Sequence, residues 1–226
     1  MKLSRSVTTK YFPALSDRLL FLCGLLMLAS EIWKQYTLTF TLGGGSYNWW
    51  YFPFQLCSIP MYILLVYPWL RRPGIRRALL AFLMSYTLLG GIAVFADTSG
   101  LHYPYAPLTI HSYMWHIFLI LLGIFCGMIY FYFFGNKNTL CAFAGSTGLY
   151  LICCAAAEVF NLSFDRFGKI NMFYINPDYK MQQVVFHGLS LVIGNQPAIL
   201  LYIAATVFGA FLLLLVWKLV FRLLLR

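Results

Sequence analysis

The sequence predicts an all-α, polytopic membrane protein, and three observations predict it. Of the 226 residues, 62% are hydrophobic and only 10% are charged, whereas about half apolar is typical of a soluble domain. Apolar runs of about 20 residues, which is enough helix to cross about 30 Å of hydrocarbon, recur along the chain. The basic residues cluster between alternate runs, as expected for a chain that passes back and forth across a bilayer.

Six spans are predicted from these runs. They are Arg18–Thr41, Trp49–Leu70, Arg76–Ala96, Leu108–Phe134, Thr139–Phe160 and Pro197–Leu224. The alternate connections and both chain ends hold most of the basic residues: Lys2, Arg5, Lys10, Arg18, Arg71, Arg72, Arg76, Arg77, Lys137, Lys218, Arg222 and Arg226. The positive-inside rule then places both termini in the cytoplasm, and an even number of spans requires the same result. The chain is therefore predicted to be a six-helix transmembrane bundle in a cell membrane.

The segment Asn161–Gln196 is predicted to be a long outer loop. It contains the apolar stretch Met181–Gly194, which is too short to span and is expected to form an interfacial or re-entrant helix. No repeat or separate soluble domain is found, so residues 1–226 are predicted to form one domain. The net charge of +10 is explained by membrane orientation, and no nucleic-acid partner is expected; the oligomeric state stays open.

The sequence lacks the common patterns of metal and cofactor sites. Its six cysteines include no CxxC pair, and no HxxxH motif occurs, so neither a zinc site nor a disulfide framework is expected. The glycines Gly43, Gly44 and Gly45 lack the following Lys and Ser/Thr of a phosphate-binding loop. No cofactor is predicted.

Three polar residues are predicted to share one depth in the outer half of the bundle. Cys57 and His116 each lie about eight residues inside a span, and Glu31 lies nine or ten residues before the end of another. At about 1.5 Å of rise per residue, these distances correspond to roughly 12 to 14 Å below the outer surface. Because ionisable groups are costly at this depth, they indicate a functional site. A nucleophile, a base and an orienting carboxylate are available there.

Structural roles compete with these functional ones. Cys57 can be a small buried hydrophobe, or a nucleophile if a base or a positive field favours its thiolate. His116 can bond a neighbouring backbone group instead of acting as a base. Glu31 and Lys34 are i,i+3 neighbours that can pair with each other. His111 lies about 140° around the helix from His116, so the two histidines are not expected to face one ligand atom.

Four short motifs, taken in order, resemble a known family. "FPFQLCSIPMYIL" (52–64), "TIHSYMWHIFLIL" (109–121), "INMFYINP" (170–177) and "GNQPAILLYI" (194–203) are similar to segments of the YwaF-like bacterial integral membrane proteins. A Glu and a Lys in the first helix of that family match Glu31 and Lys34. The family is distantly related to the transmembrane protein 164 phospholipid acyltransferase. The resemblance implies an acyl acceptor at Cys57, a base at His116 and a location in the bacterial cytoplasmic membrane.

The leading hypothesis is a membrane-embedded lipid acyltransferase or acyl hydrolase that opens to the outer leaflet. Cys57 is the predicted nucleophile, His116 the base and Glu31 the group that orients the histidine. The residues predicted to contact the lipid substrate are Lys34, Gln55, His111, Asn171 and His187, with Gln55 or Asn171 as an oxyanion donor. The alternatives are a small-solute transporter and a non-catalytic protein that binds lipid or another substrate.

Overall fold

The computed structural model describes residues 5–224, with side chains for 15–223, and this part of the chain is helical without strands. The all-α prediction is confirmed. The termini themselves, with Lys2 and Arg226, lie outside the described residues. The helices are α1 (Arg5–Tyr36), α2 (Ile59–Val66), α3 (Pro73–Phe82), α4 (Leu88–Ala93), α5 (Ala106–Phe134), α6 (Thr139–Phe164), α7 (Val184–Ile193) and α8 (Asn195–Leu224).

Four helical segments of the described chain are long and apolar enough to cross a membrane. They are Pro73–Ala96, Ala106–Phe134, Thr139–Phe167 and Asn195–Leu223. These segments match the third to sixth predicted spans, extended by a few residues at their ends. The first predicted span falls on α1, which is not one of the four. Length and composition therefore support a multi-pass membrane protein.

The second predicted span is not one continuous helix. A short 3-10 turn covers Trp49–Tyr51, and the chain then runs irregularly to Ser58 before α2 begins. Pro53 holds the preceding Phe52 in an extended conformation (φ −54°, ψ 133°), because a residue before proline disfavours the helical region. The apolar helix Ile59–Trp69 is about 16 Å long, which is too short to cross the hydrocarbon.

The third predicted span is one helical rod with a wide turn in its middle. Between α3 and α4, the residues Leu83–Thr87 form a π-helical segment. Trp217 of α8 donates its indole N–H to the backbone carbonyl of Met84 in that segment, at 3.1 Å. A π turn disturbs the regular i to i+4 ladder and so presents carbonyls to other partners. The bulge thereby connects the rod to α8.

Aromatic side chains fill the centre of the bundle. Tyr86, in the π-helical segment, stacks on Phe82 and on Tyr150 of α6, with ring centroids 5.1 and 4.9 Å apart. All three are at most 1% exposed. Glycines allow the closest helix approach: a Cβ added at Gly123 of α5 would lie 2.7 Å from the Cβ of Leu88 in α4. In this way α4 packs tightly on α5, while α3 packs on α6.

The predicted outer loop contains two short turns and one helix. The helix is α7, whose ten residues fall inside the apolar stretch predicted at Met181–Gly194, and it packs against α8. The turn Met172–Tyr174 packs against α6. This turn lies beside the irregular segment that precedes α2, and together they form the surroundings of Cys57.

Candidate functional site

The C-terminal part of α1 holds a buried charged cluster. Glu31 is only 3% exposed, and its Oε1 accepts from Lys34 Nζ at 2.8 Å and from Gln35 Nε2 at 2.6 Å. Gln35 Nε2 also donates to the backbone carbonyl of Tyr51, at 2.7 Å. The i,i+3 pairing considered for Glu31 and Lys34 is therefore present. Gln35 connects this cluster to the segment that leads to Cys57.

Cys57 lies in the irregular segment just before α2. Its backbone carbonyl accepts a hydrogen bond from Trp115 Nε1 of α5, at 3.2 Å. The depth predicted for Cys57 assumed regular helical rise from Trp49, and that premise is wrong because residues 52–58 are not helical. The hydrogen bond to Trp115, the neighbour of His116, sets the level of Cys57 against α5 instead.

The protonation of the His116 ring follows from one contact. Nδ1 of His116 lies 2.8 Å from the backbone carbonyl of Ser112, one turn earlier on α5. A carbonyl only accepts, so Nδ1 carries the proton, and the neutral ring then has its lone pair on Nε2. His116 can therefore bond a backbone group and also act as a base, because the bond to the Ser112 carbonyl fixes the tautomer that a base requires. Ser112 makes the contact that was expected of Glu31.

Lys34 is the positively charged residue nearest to the predicted catalytic residue Glu31. It pairs directly with Glu31, and its positive charge is within electrostatic range of both Cys57 and His116. Glu31 is also within electrostatic range of Cys57. The partly buried Lys34 thus adds a positive charge to the region that holds Glu31, Cys57 and His116. A nearby positive charge favours the thiolate form of a cysteine.

His111 is directed to α1. Its Nε2 lies 2.7 Å from Ser30 Oγ, and its ring lies between those of Trp33 and Trp115, at centroid distances of 5.4 and 5.7 Å. These contacts link α5 to α1 beside the charged cluster. The predicted difference in direction between His111 and His116 agrees with their different partners.

Gln55 connects the Cys57 segment to the turn Met172–Tyr174. Its Nε2 donates to the backbone carbonyl of Asn171 at 2.9 Å, and its Oε1 accepts from the backbone N–H of Phe173 at 2.7 Å. The turn is unusual because Phe173 and Tyr174 both have φ of 58°, a left-handed conformation that non-glycine residues rarely adopt. Both polar atoms of Gln55 are therefore engaged in holding this backbone.

A second amide supports the same turn from α6. Asn161, which is fully buried, accepts from the backbone N–H of Met172 at 2.7 Å and donates to its carbonyl at 3.2 Å. Strained backbone of this kind persists only where the surroundings fix it. The two Asn161 hydrogen bonds thus help to fix the backbone that precedes Phe173 and Tyr174.

Asn171 has a free donor. The side chain is 1% exposed, and its Oδ1 accepts from the backbone N–H of Asn176 at 3.0 Å, which identifies the other side-chain atom as nitrogen. That Nδ2 is buried and has no hydrogen-bond partner among the described residues. An unpaired buried donor is costly, so it is a natural place for a ligand oxygen. Of the two predicted oxyanion donors, Asn171 is the one whose amide is available.

His187 lies apart from these contacts. It is on α7, and its Nδ1 bonds to the backbone carbonyl of Met181 at 2.8 Å. This bond closes the loop that leads into α7. Among the described residues, His187 makes no hydrogen bond to the residues around Cys57. Its contact with substrate stays a prediction.

Several residues of the site were not predicted from the sequence. They are Gln35, Ser112, Trp115, Asn161 and Tyr174. Trp115 and Tyr174 lie inside motifs that resemble the family, but nothing in those motifs indicates a hydrogen bond to the backbone or a left-handed φ. Within residues 15–223, no group of three or more His, Cys, Asp or Glu side chains is placed to hold a metal ion.

Comparison with known proteins adds no relative. No protein-family model matches the chain, no curated protein matches it, and no solved structure matches it. The contacts described above are therefore the basis for a functional proposal.

Proposed function

We propose that this protein is a membrane-embedded lipid acyltransferase or acyl hydrolase with Cys57 as its nucleophile and His116 as its base. His116 carries most of the proposal. Its Nδ1 donates to the Ser112 carbonyl and so leaves Nε2 free to accept a proton. Its neighbour Trp115 bonds the backbone of Cys57, so the base and the thiol belong to contacting segments.

The reaction divides into two transfers. Nε2 of His116 takes the thiol proton of Cys57, and the sulfur attacks the ester carbonyl carbon of a phospholipid. Collapse of the tetrahedral intermediate breaks the ester bond, forms a thioester and expels the lysophospholipid alkoxide, which takes the proton from His116. An acceptor alcohol then attacks the thioester with His116 as base, and the thiolate leaves and regains the proton. Water as acceptor gives a fatty acid.

Other groups near Cys57 have supporting roles in this scheme. The ammonium of Lys34, within electrostatic range of Cys57, favours the thiolate. The Glu31 carboxylate keeps Lys34 in place through their 2.8 Å contact. The free Nδ2 of Asn171 is the proposed donor to the oxyanion of the tetrahedral intermediate. Gln55 holds the backbone of Asn171 in position.

The proposal also includes six membrane crossings and membership of the YwaF-like family. Six crossings with both termini in the cytoplasm require α1 and the broken segment Trp49–Trp69 to form the first two. The connection at Lys137 shares one end of the bundle with the start of α3, because Asn138 and Gly74 line one groove. This common basic end fits a cytoplasmic side. Membership of the YwaF-like family is proposed on the four motifs alone.

A covalent adduct tests the proposal directly. Detergent-purified protein is incubated with a phospholipid of defined acyl chains and its intact mass is measured, with Cys57→Ala and Cys153→Ala in parallel. We expect one added acyl group on the wild type and on Cys153→Ala, and none on Cys57→Ala. Cys153 is a buried cysteine of α6 and so is a matched control for loss of a thiol.

Either alternative outcome changes the assignment. An adduct that survives in Cys57→Ala and disappears in Cys153→Ala would move the nucleophile to α6. No adduct on any protein, together with saturable lipid binding and no release of fatty acid or lysolipid, would favour the transporter or the non-catalytic binding protein.

A further inference from the structure

The basic end of the bundle contains a groove that the proposed function does not use. It lies between α3 and α6 and has a volume of about 570 Å³. Most of its lining is apolar or small, including Ala78, Gly145, Gly148 and Ile152, and Arg77 lies on its wall. The helices touch at Gly145, where an added Cβ would lie 2.9 Å from that of Ala78, whereas nothing lies within 4 Å of a Cβ added at Gly148.

Arg77 has no anionic partner among the side chains of residues 15–223. Its guanidinium carbon lies 4.5 Å from the centre of the Phe134 ring, and its buried Nε has no hydrogen-bond partner among residues 15–223. The adjacent Arg76 differs, because it donates to the Asp17 carboxylate and to two backbone carbonyls. The two neighbouring arginines thus differ: within the described side chains, Arg76 has a carboxylate partner, whereas Arg77 has none and keeps a buried donor unpaired.

The acidic residues of the chain do not supply the missing anion. There are six, all within the described part, and only Asp17 and Glu31 form ion pairs there, with Arg76 and Lys34. The start of α6 also lines the groove, through Asn138 and Cys141. That helix has no acidic residue in its first turn and no side-chain cap, and the N-terminus of a long helix favours an anion.

We infer that this groove binds one anionic phospholipid of the leaflet at the basic end. Its phosphate would contact Arg77 and the first turn of α6, and one acyl chain would follow the apolar wall past Gly148 toward Ile152. The charge of Arg77 complements the phosphate, and the apolar wall complements the chain. Basic pockets between membrane helices are suited to such head groups. The inference is independent of the chemistry proposed at Cys57.

The test compares lipid affinities of the purified full-length protein. Native mass spectrometry in detergent measures binding of phosphatidylglycerol and of phosphatidylcholine with identical acyl chains. The variants are Arg77→Gln, Arg77→Lys, Gly148→Leu and, as a matched loss of charge outside the groove, Arg72→Gln. Arg72 is exposed and lies just before α3. Size-exclusion profiles and helical content show which variants fold.

We expect phosphatidylglycerol to bind wild type more tightly than phosphatidylcholine. Arg77→Gln should lower the affinity for phosphatidylglycerol by about tenfold, as expected for the loss of a charge-assisted hydrogen bond. Arg72→Gln should change that affinity by less than about threefold. Arg77→Lys should lie between the two, since it keeps the charge but not the fork of donors. Gly148→Leu should lower the affinity for both lipids, because the leucine side chain fills the groove.

Three results would overturn the inference. Equal weakening by Arg77→Gln and Arg72→Gln would mean diffuse attraction to a basic surface. Unchanged lipid binding by Gly148→Leu would mean that the acyl chain does not lie in the groove. Equal affinity of the wild type for the two lipids would mean that the groove does not select an anionic head group. If Arg77→Gln fails to fold, Arg77→Lys and Gly148→Leu decide between the same outcomes.

Discussion

His116 and His111 show how two similar side chains on one helix acquire different tasks. His116 bonds its own helix at the Ser112 carbonyl, which leaves its outer nitrogen free. His111 uses Nε2 to contact Ser30 of α1, so that nitrogen is already engaged. Of these two histidines, His116 is therefore the one whose Nε2 can act as a general base.

The two histidines can be separated by kinetics. In the acylation assay, His116→Ala should form the Cys57 adduct at least about 100-fold more slowly than wild type, as is typical when a general base is lost. His111→Ala removes a histidine from the same helix and should reduce the rate far less, through altered packing against Ser30. A slower His111→Ala than His116→Ala would exchange the proposed roles.

Amide side chains decide the geometry around Cys57 more than charged ones do. Gln55 and Asn161 together make four hydrogen bonds to the backbone of residues 171–173. They keep two aromatic residues in left-handed conformations and leave the Asn171 amide partly free. A glutamine in an apolar stretch therefore has a structural reason to be there, beside the cysteine that it helps to surround.

At the scale of helices, proline and glycine determine where regular structure ends and how closely helices approach. Pro53 interrupts the second predicted span and leaves Cys57 on irregular backbone. Gly127 of α5 instead lets its helix pack very close to α8. An added Cβ there would overlap the Trp217 indole, and that indole is fixed by its bond to the Met84 carbonyl.

A matched pair of glycine substitutions tests this packing. Gly127→Ala should lower the free energy of unfolding by about 1–3 kcal/mol, as overpacking of a core does, because the rigid indole cannot move without losing its hydrogen bond. Gly148→Ala gains the same helix propensity and meets open space, so it should be neutral or stabilising. Thermal or SDS unfolding of the purified proteins gives both values, and equal stability would contradict the close contact.

At the scale of the whole molecule, charge is divided between the two ends of the bundle. The proposed reaction is near the end that holds few basic residues, and the inferred lipid groove is at the end that holds many. If the basic end is cytoplasmic, the two sites serve different leaflets. This arrangement depends on whether α1 and the broken segment before α3 cross the membrane.

Cysteine labelling of intact cells tests the topology. Single cysteines at Ser46, Ser99 and Lys137, in a chain whose native cysteines are changed to alanine, are exposed to a membrane-impermeant maleimide. Six crossings predict labelling of Ser46→Cys and Ser99→Cys from outside and of Lys137→Cys only after permeabilisation. Protection of Ser46→Cys alone would reduce the crossings to four. Labelling of Lys137→Cys from outside would reverse the orientation.

The apolar runs by themselves determined the class of this protein. Composition excludes a soluble domain, and four of the predicted spans, from Arg76 onward, are found as helices with ends only a few residues away. The short helix in the outer loop was predicted as well. These features depend on local hydrophobicity and length, which a sequence states directly.

Only the tertiary structure decided what surrounds Cys57. The sequence marked Glu31, Cys57 and His116, but it did not indicate that Trp115 bonds the Cys57 carbonyl or that Gln55 bonds the backbone of Asn171 and Phe173. The sequence also did not predict the left-handed turn at Phe173, or that Arg77 has no anionic partner among residues 15–223. Hydrogen bonds between residues more than 50 positions apart depend on how helices pack, and packing is set by the shapes of many side chains at once, which no local pattern records.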